Sequence, residues 1–189
     1  MRADEIDLDL QLARRLARGD FDAVSLLVER YADDVYRFVY NQVGGLPEDT
    51  EDIVQETFIA ALRAARRFRG NSKLRTWLFS IALHKIADQK RWAARRPQVA
   101  LQDVHIPLLA EGTLPELALE QTELFQAVRQ SLLQLPAHYR TALVLKYVED
   151  IPVREIAQIM HRSEKSVESV LVRARRKLMK VIEDSDVKA

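Results

Sequence analysis

The chain has 189 residues and no cysteine. This absence excludes a disulfide framework and any metal site that requires thiolate ligands. Cysteine-free chains suit a reducing compartment, so we expect a cytoplasmic protein. The sequence also lacks any apolar run of about 18 residues, the length that a membrane span needs. The N-terminal segment 1–12 is acidic rather than apolar and does not resemble a signal peptide, so no membrane insertion is expected.

Glycine and proline are scarce, with five and six residues respectively. Helix-forming Leu, Ala, Arg and Glu are abundant, which favours helices over sheets. The longest loop-like stretch contains Pro97, Pro107, Gly112 and Pro115, and its apolar residues do not recur at helical spacing. We therefore predict an all-α protein with two small helical domains, 1–96 and 115–189, joined by a linker over 97–114.

Charge is distributed very unevenly along the chain, although the net charge is only +1. Residues 1–60 carry fourteen acidic and six basic side chains, whereas 61–100 carry eleven basic side chains and one acidic, Asp88. Aromatic residues lie within the basic block, namely Phe68, Trp77, Phe79 and Trp92. A basic block with aromatic side chains is typical of nucleic-acid binding, because phosphates pair with the cations and bases stack on the rings. The acidic block would repel nucleic acid, so we expect it to bind a protein.

Four helices are predicted in the first domain. The first spans about 8–18 and ends at Gly19; Asp20 caps a second helix, which ends near 41–43. Asp49 or Thr50 is predicted to cap the third, whose inner face contains Val54, Phe58, Ala61 and Ala65. Its opposite face carries Asp52, Gln55, Glu56 and Ile59. Ser72 or Asn71 is predicted to cap the fourth helix, from about 73 to 95, with Trp77 or Phe79 in the core.

The second domain is predicted to end in a helix-turn-helix. After helices over 115–133 and 138–148 and a turn over 149–152, a short helix over 153–160 precedes a break at His161 and Arg162. Ser163 is a good cap for the last helix, in which Val167, Leu171, Ala174 and Leu178 face inward. Its opposite face is small, polar and basic and suits a DNA major groove; it contains Ser169, Val172, Arg173 and Arg176. A generic helical hairpin has the same inner pattern.

Known catalytic motifs are missing. Four histidines are scattered at positions 84, 105, 138 and 161, and no HExxH, GxxxxGK[ST] or GxSxG motif occurs. The carboxylates around Asp52 lack the glycine pattern of a calcium-binding loop. We therefore expect no enzyme activity, no cofactor and no metal. A nuclease and a DNA-binding regulator that acts without polymerase are the alternatives. The regulator leaves the acidic helix and the basic block unexplained.

Two motif sets resemble sigma-70-type factors of the extracytoplasmic-function (ECF) group. The first is DIVQETF over 52–58, FRGNS over 68–72, RTWL over 75–78, and Ile81-Ala82, which is similar to region 2. The second resembles region 4 and comprises Leu135-Pro136, Tyr147, EIA over 155–157, Ser166-Val167 and RAR over 173–175. Because both sets occur in order, the resemblance covers nearly the whole chain.

The resemblance implies a transcription-initiation factor whose partners are core RNA polymerase, promoter DNA and an anti-sigma protein. The polymerase-binding residues would be Asp52, Gln55, Glu56 and Ile59. Promoter melting and −10 recognition would use the 69–76 turn and the helix after it, with Arg69, Asn71, Ser72, Lys73, Arg75, Thr76, Trp77, His84 and Arg91. The −35 duplex would be bound by Lys165, Ser166, Glu168, Ser169, Val172, Arg173 and Arg176.

The chain departs from the family pattern at several positions. Leu83-His84 stands where Arg-Asn is frequent, and His161 stands where glycine is frequent, so His161 is expected to need a positive φ. Lys165, Glu168 and Val170 also differ from common recognition-helix residues. Glu168 would weaken phosphate binding or accept a hydrogen bond from cytosine N4. The promoter sequence therefore cannot be read from relatives.

Overall fold

A computed structural model describes residues 3–44, 47–93 and 116–186. Within these ranges the chain forms helices joined by turns and contains no strand, which confirms the all-α prediction. The helices are α1 (Ala3–Ala17), α2 (Phe21–Val43), α3 (Pro47–Ala64), α4 (Leu74–Ala93), α5 (Glu116–Leu133), α6 (Ala137–Leu143), α7 (Val153–Ile159) and α8 (Glu164–Asp186). A 3₁₀ turn over Ala65–Arg67 follows α3, and a π-helical segment over Val144–Val148 extends α6. The predicted linker, 97–114, lies outside the described residues.

Helices α1 to α4 pack around one apolar core. Phe38 of α2 stacks on Phe79 of α4, with ring centroids 4.5 Å apart, and both rings are fully buried. Leu27, Leu74 and Leu78 are buried in the same cluster. Full burial of such side chains contributes about 1.5–3 kcal/mol each. Phe79 is therefore the core aromatic residue, whereas Trp77 is half-buried.

The C-terminal helices build their core from α6, α7 and α8. Ile156, Val167 and Ala174 are fully buried, as predicted from their spacing. Val170 is also buried, so it faces the core rather than the outer surface of α8. The π-helical segment ends where the Glu149 amide donates to the Val144 carbonyl, and Asp150 follows with a φ of 49°. The predicted turn over 149–152 is confirmed.

Two of the predicted helix caps are confirmed. The Asp20 carboxylate accepts a hydrogen bond from the Ala23 amide at 3.3 Å, and the Ser163 hydroxyl accepts one from the Ser166 amide at 3.3 Å. Each bond satisfies an amide that the first turn of a helix leaves unpaired. Gly19 and Gly44 follow helices with φ values of 78° and 92°, which suits the left-handed conformation that often ends a helix.

Two predicted helix starts are wrong. Helix α1 begins at Ala3 rather than near Leu8. Helix α3 begins at Pro47, so Asp49 and Thr50 lie inside its first turn and do not cap it; proline is favoured at a first helical position because its fixed φ suits the helix.

The start of α4, predicted near Lys73, is confirmed at Leu74, but the predicted cap is wrong. Neither Asn71 nor Ser72 caps this helix, because the Leu74 amide donates to the carboxylate of Asp9 at 2.7 Å. Asp9 lies on α1, so the cap comes from a different helix.

The N-terminal and C-terminal helices contact each other directly. Helix α2 packs against α5 and α6, and α4 packs against α7. The Thr141 hydroxyl donates to the side-chain oxygen of Gln42 at 3.0 Å, and both residues are buried. The guanidinium of Arg129 lies 3.9 Å from the ring centre of Tyr40. This packing brings the predicted promoter-binding turn next to the second set of helices.

Candidate functional site

The outer face of α3 is acidic and carries one apolar side chain. Asp52, Gln55, Glu56 and Ile59 are all exposed, as the helical spacing predicts, while Ile53 and Phe58 of the same helix are buried. Ile59 exposes 41% of its surface. A carboxylate face with an exposed Ile59 can contact a basic, partly apolar protein surface.

A groove between α3 and α4 continues this acidic face. The ammonium of Lys85 lies 3.1 Å from the Glu56 carboxylate, and the Gln89 amide donates to Asp49 at 3.2 Å. Trp92 lines the groove and is 56% exposed. From the sequence, Trp92 was predicted to belong to the basic block, and Lys85 was given no role. Lys85 and Trp92 are seven residues apart on one helix, and this spacing indicates that they share a face.

The turn before α4 depends on Gly70. Its φ is 70°, and a Cβ at this position would lie 2.9 Å from side-chain carbons of Leu10. Both the left-handed conformation and the close contact therefore require glycine. Arg69 and Asn71 are exposed on this turn, while Ser72 and Lys73 are half-buried.

Asp9 fixes the position at which this turn ends. Its carboxylate accepts from the Leu74 amide and, at 3.0 Å, from the Tyr31 hydroxyl, and the residue is 1% exposed. A negative charge at the N-terminus of α4 is favourable because the helix dipole is positive there. Asp9 therefore orients the predicted −10 residues. This role of Asp9 was not predicted from the sequence.

Arg75 and Thr76, both predicted to bind DNA, lie at the contact with the C-terminal helices. Arg75 donates to Asp34 at 2.6 Å, to the Glu149 carbonyl at 2.9 Å, and to the Glu149 carboxylate. The Thr76 hydroxyl donates to the Glu155 carboxylate, and Thr76 is 2% exposed. Thr76 is therefore covered and Arg75 is half-buried, whereas Arg69 and Asn71 are exposed.

The same contact changes the electrostatics of neighbouring groups. Partial burial opposes ionisation of Asp34, but hydrogen bonds from Arg37 and Arg75 hold its pKa below the ordinary value. The Glu149 carboxylate, followed by Asp34, raises the pKa of Arg37 despite burial. The charged forms of these side chains therefore stabilise one another.

The other predicted −10 residues are spread along α4. Trp77 is half-buried against Phe68, with ring centroids 5.3 Å apart. His84 is exposed, and its ring lies 5.8 Å from that of His161. Arg91 is exposed and pairs with Asp88 of the preceding turn. His84 and Arg91 are thus distant in sequence from the turn over 69–76.

The outer face of α8 contains every predicted −35 residue. Ser166 is half-buried and the others are exposed, namely Lys165, Glu168, Ser169, Val172, Arg173 and Arg176. A shallow groove beside this face is lined by Tyr139, Arg173, Arg176, Lys177 and Lys180. Lys177 and Lys180 extend the basic surface beyond the predicted residues, and Tyr139 lies beside them.

The break between α7 and α8 sets the orientation of that face. His161 has a φ of 52°, which confirms the expected positive value, and the Arg162 amide donates to the Ala157 carbonyl at 2.9 Å. The Arg162 side chain reaches the Ser166 hydroxyl at 3.5 Å. A short helix, a tight turn and a longer helix with a basic outer face form a helix-turn-helix.

Among the helices of residues 3–44, 47–93 and 116–186, none has both the length and the hydropathy that crossing a bilayer requires.

Comparisons with known proteins identify both halves of the chain. The model of sigma-70 region 2 matches residues 27–96, and that of sigma-70 region 4 matches residues 125–178. The chain is 33% identical to the ECF RNA polymerase sigma factor SigW of Bacillus subtilis over 180 residues, covering 90% of this chain and 95% of SigW. It is also 33% identical to the RNA polymerase sigma-H factor of Pseudomonas aeruginosa over 186 residues, covering 93% and 94% of the two chains.

Solved structures share the fold. CnrH, solved in complex with the cytosolic domain of CnrY, superposes with a TM-score of 0.69 at 28% identity, covering 93% of this chain and 97% of CnrH. The sigma factor RpoE of Bartonella quintana, solved with the anti-sigma factor NepR, gives a TM-score of 0.67 at 22% identity over 84% of this chain and 96% of RpoE. With both region models matched in order and curated relatives aligned over nearly their whole length, the chain belongs to the ECF group of sigma-70 family RNA polymerase sigma factors.

Proposed function

We propose that the chain binds core RNA polymerase, directs it to promoters with −10 and −35 elements, and assists promoter melting. One observation carries this proposal: a single chain exposes an acidic face on α3, a basic turn before α4 and a basic face on α8. A regulator acting without polymerase would use α8 but would have no role for the acidic face.

The acidic face is the polymerase-docking surface in this proposal. Asp52, Gln55 and Glu56 supply polar and charged contacts, and Ile59 supplies an apolar one. Trp92, across the adjoining groove, extends the surface because an exposed tryptophan is a frequent anchor in protein interfaces. Complementary charge would steer association with a basic polymerase surface and fix the orientation of the complex.

The turn before α4 engages the single-stranded −10 element. Asn71, Ser72 and Lys73 can hydrogen-bond an extruded base edge more readily from a turn than from a regular helix face. Arg69, Arg75 and Thr76 flank them, and Trp77, His84 and Arg91 continue the surface along α4. Stacking on an aromatic side chain contributes about 1–3 kcal/mol per base in single-strand binding.

Helix α8 reads the −35 duplex. Lys165, Arg173 and Arg176 pair with phosphates or guanine edges, while Ser166, Ser169 and Val172 are small enough to approach bases closely. Glu168 lowers phosphate affinity unless it accepts from cytosine N4. The two units, 1–96 and 115–189, would then bind two promoter elements, with the 97–114 linker between them.

An anti-sigma protein is a further proposed partner. Support comes from the fold shared with CnrH, which was solved with a bound partner domain. The protein has no catalytic role in this proposal, because polymerase supplies the chemistry of RNA synthesis.

The direct experiment is transcription in vitro with core polymerase and a pool of genomic promoter fragments, followed by sequencing of RNA 5′ ends. We expect start sites that depend on the added protein and share two upstream elements. Transcripts identical to those from core polymerase alone would overturn the proposal. Co-purification with core polymerase separates it from a regulator that acts alone.

A further inference from the structure

The contact between the two sets of helices is built around the carboxylate of Glu149. This side chain has 0% exposure and accepts from Arg37 at 2.9 and 3.2 Å, and also from Arg75. Arg37 and Arg75 are both on the N-terminal unit, on α2 and α4. We call these three residues the Glu149 cluster. A fully buried carboxylate requires such partners, because an unpaired charge in a protein interior is strongly unfavourable.

Asp34 completes the charge balance of the cluster. Its carboxylate accepts from Arg37 at 2.7 Å and from Arg75 at 2.6 Å. Two arginines and two carboxylates thus neutralise one another across the contact. Opening the contact would return Glu149 to water and leave Asp34 to pair with both arginines.

A second bond crosses the contact one residue further along α4. Thr76 donates to Glu155, which is 8% exposed at the start of α7. We propose that Arg75 and Thr76 bind the −10 strand. In this structure Arg75 donates hydrogen bonds to Glu149, and Thr76 donates one to Glu155. While the contact is closed, the Thr76 hydroxyl is buried, and the Arg75 guanidinium is held by internal carboxylates although 23% of its side chain is exposed.

The contact also includes groups that oppose closure. Among the described residues, the side-chain nitrogen of Gln42 and the Nε of Arg129 are buried at this contact without a hydrogen-bond acceptor. Burial lowers the pKa of Arg129, which shows that its charged form is destabilised there. Because these unfavourable polar terms offset part of the favourable ones, the closed state is favoured over the open state by only a limited free energy.

We propose that the Glu149 cluster holds the free protein in a closed, self-masked state in which the C-terminal unit covers Thr76 and engages the Arg75 guanidinium. Opening exposes these two residues for the −10 strand. The masking part rests on the proposed function, whereas the closure itself does not. Single-stranded DNA must then compete with the internal carboxylates for these two residues. The apparent affinity for DNA is therefore reduced in proportion to the fraction of molecules that are open.

The test compares Glu149→Gln with Glu183→Gln in the full chain. Both changes remove one negative charge, but Glu183 is exposed near the end of α8, outside the contact. Spin labels on Ser25→Cys and Gln158→Cys report the distance between the units, because both positions are exposed and the native chain has no cysteine. Electron-electron resonance should give one narrow, short distance distribution for the otherwise native chain and for Glu183→Gln. Glu149→Gln should add a longer and broader population.

Arg37→Ala is the second variant, since this side chain is 46% exposed and its loss is less disruptive to folding. We expect it to open the contact as Glu149→Gln does. If either variant keeps its far-ultraviolet circular dichroism and also keeps the native distance distribution, the cluster does not hold the closed state and the proposal is overturned.

Binding of a single-stranded −10 oligonucleotide tests the masking. We expect the opened variants to bind it about tenfold more tightly than the native chain, following the increase in competent molecules. If the variants open but bind the oligonucleotide no more tightly than the native chain, the proposal that closure masks the −10 residues is overturned. Failure of the native chain to support transcription with core polymerase would instead count against the proposed function, while the distance measurement would still report on closure.

Discussion

At the scale of single residues, Asp9 connects three helices. Its carboxylate, carried by α1, accepts from the Tyr31 hydroxyl of α2 and from the Leu74 amide at the start of α4. No other charged side chain described in the N-terminal unit is buried so completely. The bond to Leu74 fixes where the proposed −10 turn ends.

We expect Asp9→Ala to lower the free energy of unfolding by about 2–3 kcal/mol, because it removes a buried carboxylate that accepts hydrogen bonds from the Leu74 amide and the Tyr31 hydroxyl. Asp7→Ala is the matched control, since Asp7 is exposed and accepts a hydrogen bond from Gln11 of the same helix. Urea unfolding followed by circular dichroism measures both. Equal stability of the two variants would contradict the role assigned to Asp9.

Sequence reasoning finds caps that are local and misses those that are not. Asp20 and Ser163 cap the helices that directly follow them, so the order of residues is sufficient to predict them. Asp9 caps a helix that begins 65 positions later. Nothing in the sequence around Asn71 and Ser72 indicates that a distant carboxylate will take the position they are suited to occupy.

At the scale of helices, we propose that the outer face of α3 binds polymerase. Asp52→Lys combined with Glu56→Lys should leave the fold intact, because both side chains are exposed, and should weaken binding to core polymerase by several kcal/mol as like charges replace complementary ones. A fluorescence titration of labelled protein with core polymerase measures this change.

Asp22→Lys combined with Glu29→Lys is the control for that charge reversal. These acidic residues are also exposed, but they lie on α2. The control should bind core polymerase as the native chain does. Undiminished binding by a folded α3 variant would remove the assignment.

Helix α8 carries the second prediction at this scale. Arg173→Ala and Arg176→Ala should each weaken −35-dependent transcription: loss of a base contact costs about 1–3 kcal/mol and relaxes preference at one position, whereas loss of a phosphate contact weakens all sequences evenly. Arg14→Ala, an equivalent exposed change on α1, is the control. Native activity of both α8 variants on a −35-dependent promoter would show that the wrong face was assigned.

Helical periodicity explains why these faces were predictable. Val167, Leu171 and Ala174 recur at helical spacing and are buried, so the side opposite them had to be exposed. The same reasoning placed Asp52 and Glu56 outside. Val170 was not recognised as a core residue because it lies at the edge of the apolar stripe.

At the scale of the whole molecule, the two units are joined by charged side chains far apart in sequence. Arg37 and Glu149 are separated by 112 positions. Local patterns contain no information about such a pair, so the sequence predicted two domains but not their contact. For the same reason it did not predict that Thr76 would be covered and Arg75 half-buried while Arg69 and Asn71 remain exposed.

This contact should make stability depend on pH in the acidic range. The pKa of Asp34 is lower in the folded protein than its ordinary 3.8, so its ionised form stabilises the fold above about pH 5 and that stabilisation is lost as pH falls through the folded pKa. Native protein should therefore exceed Asp34→Asn in unfolding free energy at pH 7, with the difference shrinking toward pH 3. A difference that stays constant across this range would contradict the assignment.

The central claim is that this chain lets polymerase open promoter DNA through the turn before α4. The most direct measurement is permanganate reactivity of thymines near the start site, with core polymerase, the protein and a promoter identified by transcription. We predict reactive thymines with the native chain, none with core polymerase alone, and strongly reduced reactivity with Asn71→Ala combined with Lys73→Ala, although that variant still binds core polymerase. Absence of reactive thymines with the native chain, or full reactivity with the variant on several promoters, would contradict the account.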